Sequence, residues 1–282
     1  MKAFLGIGLL GSNFVRAMIQ KGETVQVWNR TASKAKALEA YGAKAFEDVE
    51  AAVKGADTIH LTLKDDESVN EVLAQAVKGF SPGAVIIDHT TTSVKGAVER
   101  TQAWQQRGFH YLHAPVFMGP QNALESTGYM LASGNQPLIQ QLEPALAAMT
   151  GKLINVGPQE GKAAGLKLIG NLFLLTMTAG ISDTLALAKG FGIAPADILD
   201  LFSNWNPGAA MPARLKKIAE GNFSNPSWEL AMARKDAGLM LAAAQENNVT
   251  LSLIPVIASV MDQWLAKGHA QDDWSVIAKE NI

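Results

Sequence analysis

Hydrophobic and polar positions in the first part of the chain follow two alternating patterns. Short apolar runs are separated by stretches in which apolar residues recur at helical spacing. The first pattern is typical of buried strands and the second of amphipathic helices. Their alternation predicts an α/β fold, a parallel sheet covered by helices. The predicted strands are 3–5, 24–28, 43–45, 57–63, 84–88, 109–116, 129–132 and 153–156, and the predicted helices between them include 12–21, 33–41, 49–53, 67–77 and 93–107.

From residue 161 onward the strand pattern stops. Residues 161–189 can form one helix of about 45 Å at 1.5 Å per residue. Lys167, Asn171 and Asp183 interrupt its apolar sequence. We therefore expect a buried helix, too short and too polar in its apolar part to cross a membrane. Further helices are predicted at 195–204, 211–220, 228–247, 254–267 and 274–279.

A glycine-rich stretch joins the first strand to the first helix. Its glycines are Gly6, Gly8 and Gly11, separated by Ile7 and by Leu9-Leu10. Gly6 permits a tight turn, Gly8 lets the backbone approach a pyrophosphate, and Gly11 lets the helix pack closely on the sheet. The N-terminus of the helix favours the negative charge of the phosphates. This stretch, including Leu9 and Leu10, predicts a dinucleotide site.

The predicted architecture is therefore an N-terminal Rossmann-type doubly wound sheet at 1–160 and an all-helical C-terminal domain at 161–282. The long helix joins the two. In open parallel sheets, ligands lie at the carboxyl ends of the strands. Leu63 and Lys64 end the predicted strand 57–63, so we expect them at the cofactor.

The end of the second strand indicates which dinucleotide binds. A carboxylate at this place would accept hydrogen bonds from the ribose 2′-hydroxyl of NAD. The chain has Asn29 there, followed by Arg30 and Thr31, with Lys34 in the next helix. A guanidinium and a hydroxyl suit a 2′-phosphate, so we predict NADP(H). The alternative is that Arg30 is a solvated surface residue and Thr31 only caps the next helix.

Composition excludes several classes of function. The net charge is −2 and the isoelectric point is near 6.2, so no nucleic-acid partner and no anionic membrane surface is expected. There is no cysteine, which excludes disulfides and thiolate chemistry and suits a reducing compartment. The five histidines show no metal-ligand spacing, so no metal site is predicted. We expect a cytoplasmic protein that acts on a small molecule.

Lys167 and Asn171 are the candidate catalytic pair. They are four residues apart, so a helix places both on one face. An ammonium on an apolar helix is costly unless it has partners or a task. Beside a nicotinamide, such a lysine can protonate the oxygen that gains negative charge, and the asparagine can hold that oxygen. The alternative is a lysine that extends to solvent and a capping or solvated asparagine.

The segment from Gly161 to Asn171 resembles the catalytic-helix signature of the β-hydroxyacid dehydrogenase family. This family includes 3-hydroxyisobutyrate dehydrogenase and the reductases of tartronate semialdehyde, glyoxylate and succinic semialdehyde. The resemblance extends to the glycine-rich opening, to Asp88-His89-Thr90-Thr91 and to Lys235-Asp236.

The resemblance implies a role for each matching residue. Lys167 would be the general acid and base, and Asn171 would help to hold the substrate. Thr91 and Lys235 would lie near the cofactor. It also implies a dehydrogenase or reductase that acts on a small carbonyl compound or β-hydroxy acid of the semialdehyde or glyoxylate type, with Lys167 and Asn171 in a cleft between the domains. A homodimer or homotetramer built through the helical domain is implied as well.

The substrate loop departs from the family pattern. The family usually has Ser-Gly where this chain has Phe117-Met118, before Gly119. The usual serine hydroxyl helps to bind a substrate carboxylate, and such a group would be poorly solvated beside Phe117. A less polar carbonyl compound is one interpretation. In the other, Phe117 turns away, and Gly119 with Asn122 still binds an acid.

Two further functions stay open. Imine reductases share this architecture and reduce C=N bonds with NADPH, and the substrate loop also resembles theirs. They typically lack a lysine at the Lys167 position, which favours C=O chemistry here. The third possibility is a non-catalytic NADP-binding protein in which Phe117 fills a former active site.

Overall fold

The computed structural model describes residues 1–282. The chain forms two compact units, Met1–Asn171 and Leu172–Ile282. The sequence-based division is at 160/161, whereas the first unit ends at Asn171. The first turns of the long helix, with Lys167 and Asn171, therefore belong to the sheet unit.

Two sheets form the framework of the first unit. The larger sheet has six parallel strands in the order β3-β2-β1-β4-β5-β6, the order of a Rossmann fold, as predicted. The smaller sheet has the order β7-β8-β9. The strands are β1 Lys2–Leu5, β2 Val25–Trp28, β3 Lys44–Phe46, β4 Thr58–Leu61, β5 Val85–Asp88, β6 His110–His113, β7 Val116–Phe117, β8 Tyr129–Ala132 and β9 Lys152–Asn155.

The larger sheet is buried on both faces because successive side chains point to opposite sides. On β1, Phe4 belongs to one hydrophobic cluster, while Ala3 and Leu5 belong to the other. Helix α1 covers the first face with Phe14, and α4 covers the second with Leu73. This burial holds the carboxyl ends of the strands, where the site lies, on a rigid support.

The prediction of one strand at 109–116 is wrong. β6 ends at His113, and the chain then enters the smaller sheet as β7. Between them lies Pro115, which has no N–H to donate to a strand ladder. Its carbonyl accepts from Leu131 N–H at 2.9 Å, and this bond starts the second sheet. The break directs the following Phe117 away from the large sheet.

The predicted helices are all present, two of them wholly or partly as 3₁₀ helices, and the structure adds two helices that were not predicted, at Pro120–Glu125 and Gln136–Ala147. The predicted helix 33–41 is a short α-helix continued by a 3₁₀ helix at Ala37–Tyr41, and the segment predicted at 274–279 is a 3₁₀ helix, Trp274–Asn281. Two more 3₁₀ turns are Val77–Gly79 and Pro207–Ala210. The α-helices are α1 Leu9–Gln20, α2 Ala32–Lys36, α3 Val49–Val53, α4 Asp66–Ala76, α5 Val94–Gln106, α6 Pro120–Glu125, α7 Gln136–Ala147, α8 Lys162–Gly190, α9 Pro195–Asn204, α10 Met211–Ala219, α11 Leu230–Glu246 and α12 Ile254–Ala266.

The expectation of a buried α8 is wrong for the single chain. Residues 172–178 are all exposed, and the exposed fractions of Leu172 and Leu175 are 66% and 72%. By length and composition alone α8 could cross a membrane, contrary to the sequence-based expectation. However, Lys167 is buried in the first unit and Asp183 in the second. The helix between them rises only about 24 Å, less than the ~30 Å of a hydrocarbon core.

The helical unit has its own core and an internal helix cap. Leu230, Met261 and Trp264 are among the buried residues where α11 and α12 meet. The carboxylate of Asp183 accepts N–H groups of Ser252 at 2.7 Å and of Leu253 at 2.8 Å, at the start of α12. Burial alone would raise the pKa of Asp183, but these backbone hydrogen bonds hold it below its ordinary value. Asp183 therefore fastens the second half of α8 to α12.

Candidate cofactor and active site

The glycine-rich turn is shaped by close backbone contacts. Gly6 has φ +96°, and a β-carbon on it would lie 2.2 Å from the Thr62 carbonyl oxygen. A β-carbon on Gly11 would lie 2.1 Å from the carbonyl oxygen of Gly6. Thr62 Oγ1 donates to that same oxygen at 2.8 Å. The turn therefore requires glycine at both positions, as the motif predicts.

Gly8 differs from these two glycines because its side-chain position faces open space. It is the N-cap of α1 and provides no side-chain cap, and a β-carbon on it would have no protein atom within 4 Å. The first N–H groups of α1 are thus available to an anion. Beside them lies a cavity of about 510 Å³, lined by Gly6, Ile7, Gly8, Trp28, Asn29, Arg30, Thr31, Lys34, Thr62, Leu63, Lys64, Ser68, Glu71, Val72 and Gln75. These features fit a dinucleotide.

Two backbone groups hold the side chain of Asn29, which lines this cavity. Its Oδ1 accepts the Ile7 N–H at 2.9 Å, and its Nδ2 donates to the Thr31 carbonyl at 3.0 Å. Arg30 and Thr31 are exposed and line the same cavity with Lys34. Thr31 is the N-cap of α2 but makes no side-chain cap hydrogen bond. The Thr31 hydroxyl is therefore not used to cap α2.

The loop after β5 is held by its two flanking threonines. Thr90 Oγ1 accepts the Leu63 N–H at 2.9 Å, and Thr92 Oγ1 lies 3.3 Å from His113 Nε2. Both threonines are buried, whereas Thr91 between them is exposed. The structure therefore presents the predicted cofactor residue Thr91 on a fixed backbone beside Leu63.

A buried polar network supports this loop, and the sequence analysis did not find it. Asp88 Oδ2 accepts the Tyr111 hydroxyl at 2.5 Å, and Arg100 Nε donates to the same tyrosine oxygen at 2.9 Å. Arg100 Nη1 also donates to Asp66 Oδ1 at 2.7 Å. Burial and the Asp88 carboxylate raise the pKa of Tyr111 well above its ordinary value. The available signal was the position of Asp88 at the end of β5 and of Asp66 at the start of the helix that follows the neighbouring β4.

The two buried histidines His60 and His89 form a pair that the sequence analysis also did not find. His89 Nδ1 donates to the Ala114 carbonyl at 2.8 Å, so its Nε2 must accept from His60 Nδ1, 3.0 Å away. The two rings also stack. Burial lowers the pKa of His89 to about 4 and the pKa of His60 well below its ordinary value. Both histidines are therefore neutral parts of the core.

Lys167 and Asn171 lie together as predicted. Lys167 is 9% exposed, and its Nζ donates to Asn171 Oδ1 at 3.0 Å. No carboxylate lies within ion-pair distance of this ammonium in the first unit. Burial lowers the pKa of Lys167 from its ordinary value. An ammonium with a lowered pKa gives up its proton more readily near neutral pH, which suits a general acid.

Phe117 contacts this lysine directly. The Nζ atom of Lys167 is 4.3 Å from the centroid of the Phe117 ring, a cation–π distance. The ring also covers Gly170, where a β-carbon would lie 2.3 Å from Cζ of Phe117. The interpretation in which Phe117 turns away from the candidate acid is therefore wrong. Met118, in contrast, packs against the hydrophobic core of the sheet unit.

The polar groups of Gly119 and Asn122 are used within their own loop. The Gly119 N–H donates to Asn122 Oδ1 at 2.9 Å, and Asn122 Nδ2 donates to Thr127 Oγ1 at 3.0 Å. The interpretation in which these two residues bind an acid is weakened, because only the second N–H of Asn122 Nδ2 is left as a donor. Gly119 is the N-cap of α6.

Lys235 lies in the helical unit on α11. Its Nζ is 2.8 Å from Asp236 Oδ1, and 54% of its side chain is exposed. Its contact with the cofactor stays a prediction.

Comparison with known proteins decides the family. Residues 2–157 match the family described as the NAD binding domain of 6-phosphogluconate dehydrogenase. Residues 161–280 match the NAD-binding domain of NADP-dependent 3-hydroxyisobutyrate dehydrogenase. The chain belongs to the β-hydroxyacid dehydrogenase family. The resemblance noted in the sequence is thereby confirmed.

Individual proteins are similar to this chain over nearly its full length. An uncharacterized oxidoreductase, YfjR, of Bacillus subtilis is 26% identical, with 98% of each chain covered. The 2-(hydroxymethyl)glutarate dehydrogenase of Eubacterium barkeri is 24% identical, covering 98% of this chain and 93% of that one. This β-hydroxyacid dehydrogenase homologue is accordingly a pyridine-nucleotide-dependent oxidoreductase.

Solved imine reductases have the same fold. The enzyme from Myxococcus stipitatus in complex with NADP⁺ superposes with a TM-score of 0.92 at 22% identity, over 99% of both chains. A variant of that enzyme in complex with NAD⁺ superposes with a TM-score of 0.91 at 21% identity, over 100% of this chain and 99% of that one. At this identity the match establishes the fold, including the helical second half.

Proposed function

We propose that this protein is an NADPH-dependent reductase of a small aldehyde or ketone, with Lys167 as the general acid and base. The observation that carries the proposal is the buried Lys167 ammonium, which is bonded to Asn171 and has no ion-pair partner in its unit. An unpaired buried charge is costly, and a functional task explains why it is there.

The division of labour follows from the donor groups. A reduced nicotinamide held in the cavity beside the glycine-rich turn would supply the hydride. Lys167 donates a proton to the carbonyl oxygen as negative charge develops there, and takes it back in alcohol oxidation. Asn171 orients the ammonium through Oδ1, and its Nδ2 can hold the same substrate oxygen. This class includes the semialdehyde and glyoxylate substrates that the family resemblance implies.

The preference for NADP(H) is supported by the second strand. Asn29 brings no negative charge, and the exposed Arg30 forms no ion pair within the chain. Arg30, Thr31 and Lys34 line one part of the cavity, where they can bind a 2′-phosphate. The known complexes of related folds contain NADP⁺ or NAD⁺, so the proposal rests on these side chains.

Steady-state reduction of an aldehyde and ketone panel, with NADPH and NADH, tests the function. We expect turnover with NADPH, and a decrease of kcat by about 10²–10⁴-fold in Lys167→Ala with NADPH binding retained. Lys162→Ala is the matched control, since Lys162 lies on the same helix but is exposed. Unchanged kcat in Lys167→Ala would contradict the role of this lysine. NADPH binding without turnover on carbonyl and imine panels would instead indicate a non-catalytic protein.

Reduction of an imine is the second candidate. The π face of Phe117, directed at the proton donor, can accommodate a cationic iminium. The Lys167 ammonium would repel that cation at the same place, which favours the carbonyl reaction. Turnover of a cyclic imine at a higher kcat/KM than every carbonyl compound would reverse this order.

We also propose a cytoplasmic homodimer or homotetramer, assembled through the apolar exposed part of α8. Leu172, Leu175 and Ile181 are each more than half exposed in the single chain. Exposed apolar surface of this kind is typical of a protein–protein interface. Sedimentation equilibrium of the wild type and of Leu172→Glu/Leu175→Glu tests this. A monomeric wild type would contradict it.

A further inference from the structure

The Phe117 ring forms a fixed wall beside the candidate proton donor. Its backbone is paired with Tyr129 on the neighbouring strand, and its ring lies against Gly170 of α8. Any side chain on Gly170 would collide with this ring. The absence of a β-carbon there lets the ring reach the Lys167 ammonium, so the contact is built into two elements.

The loop that carries Phe117 has few groups left for a substrate carboxylate. The Gly119 N–H and one of the two Asn122 amide N–H groups are engaged inside the loop. The Met118 side chain is packed against the core and is apolar. A carboxylate placed against this wall would lose its hydration, and among these residues only the second Asn122 N–H is left to donate to it.

The ammonium itself cannot replace those donors without losing its function. It has three N–H groups, of which one is donated to Asn171 Oδ1 and another direction is covered by the Phe117 ring. The third N–H group is needed by the substrate oxygen that receives the proton. A carboxylate next to the reacting carbon would compete for that N–H and, by its charge, stabilise the ammonium against proton release.

We propose that Phe117 is a specificity-determining residue that selects neutral carbonyl compounds, in which an alkyl, aryl or ester group and no carboxylate lies beside the reacting carbon. This inference rests on the proposed function, because it assigns the proton-transfer role to Lys167. It goes beyond that function in separating two substrate classes that share the same carbonyl chemistry.

Matched acid and ester pairs test the proposal. The pairs are glyoxylate with methyl glyoxylate, and succinic semialdehyde with methyl 4-oxobutanoate, each reduced with NADPH. We expect the wild type to show a kcat/KM at least 10-fold higher for the ester, with the larger ratio in the glyoxylate pair. Phe117→Ser supplies a hydroxyl and space, and is expected to lower the ester-to-acid ratio by 10-fold or more.

Two further variants keep this test decisive. Phe117→Leu retains an apolar side chain without a donor, so it is expected to keep the preference for the ester even if Phe117→Ser folds poorly. Tyr129→Ser makes the same kind of change at the exposed position paired with Phe117, and is expected to leave the ratio unchanged. NADPH binding, measured by tryptophan fluorescence, identifies the folded variants.

Each outcome separates this inference from the proposed function. Equal or better use of the acids by the wild type would overturn the role of Phe117 and leave the reductase proposal intact. A ratio that stays constant in Phe117→Ser, or that falls equally in Phe117→Leu, would also overturn it. If the wild type binds NADPH but reduces neither the acids nor the esters, the proposed function is contradicted.

Discussion

The Lys167 Nζ atom lies 3.0 Å from Asn171 Oδ1, one helical turn further along α8. Because burial lowers the pKa of Lys167, its protonated fraction begins to fall at a lower pH than for a free lysine. In its proposed role as the acid in carbonyl reduction, Lys167 must be protonated. The geometry therefore links the direction of the reaction to pH.

We predict that kcat for reduction decreases as pH rises through the lowered pKa of Lys167, and that kcat for alcohol oxidation increases over the same range. The measurement is the pH profile of both directions, between pH 6 and 10. Asn171→Asp places a carboxylate beside the ammonium, so the decrease should move to higher pH. An unchanged profile in Asn171→Asp would show that another group titrates.

Asn29→Asp and Arg30→Ala test the choice of dinucleotide. Asn29→Asp retains the acceptor for the Ile7 N–H but brings a negative charge toward a 2′-phosphate. We expect each variant to raise KM for NADPH about 10-fold or more, with KM for NADH unchanged or lower. Arg107→Ala, a change of an exposed arginine stacked on Trp104, is the control. An equal increase for both cofactors would argue against the assignment.

Gly8→Ala and Gly11→Ala should separate cofactor binding from folding. The Gly11 β-carbon would meet backbone at 2.1 Å, so we expect a loss of about 3 kcal/mol in the free energy of unfolding. The Gly8 β-carbon meets no protein atom, so stability should be nearly unchanged while NADPH affinity falls. Urea unfolding and NADPH titration measure the two effects. Unaltered NADPH affinity in Gly8→Ala would place the pyrophosphate elsewhere.

The buried histidine pair predicts acid sensitivity. The pKa of His89 is about 4 in the folded chain, against 6.5 when unfolded, so between these values only the unfolded state binds the proton. The contribution of neutral His89 to the free energy of unfolding is thus fully present above pH 6.5. It should decrease by about 3 kcal/mol as pH drops toward 4. His60 adds to the loss in the same direction.

Urea unfolding at several pH values between 4.5 and 8 measures this dependence. His89→Phe should reduce the pH slope, although it also lowers stability by removing the bond to Ala114. His110→Gln, at an exposed position, should keep the wild-type slope. A slope that is the same in all three proteins would refute the role of the pair.

The sequence by itself determined the local features of this protein. The glycine spacing specified the turn at Gly6 and Gly11, because only a residue without a β-carbon fits those backbone contacts. The four-residue separation of Lys167 and Asn171 specified that both lie on the same face of the helix. Hydrophobic periodicity likewise predicted a parallel sheet covered by helices, since it records which faces are buried, but it did not divide the strands between the two sheets.

Only the tertiary structure decided the contacts between distant segments. The direction of the Phe117 ring depends on Gly170, which is 53 positions away, and on the break at Pro115 that starts the second sheet. The pairing of His60 with His89, and the support of the Thr91 loop by Asp88, Tyr111 and Arg100, arise where strands become neighbours. Such contacts leave no periodic signal, because they join single side chains from different elements and not one face of an element.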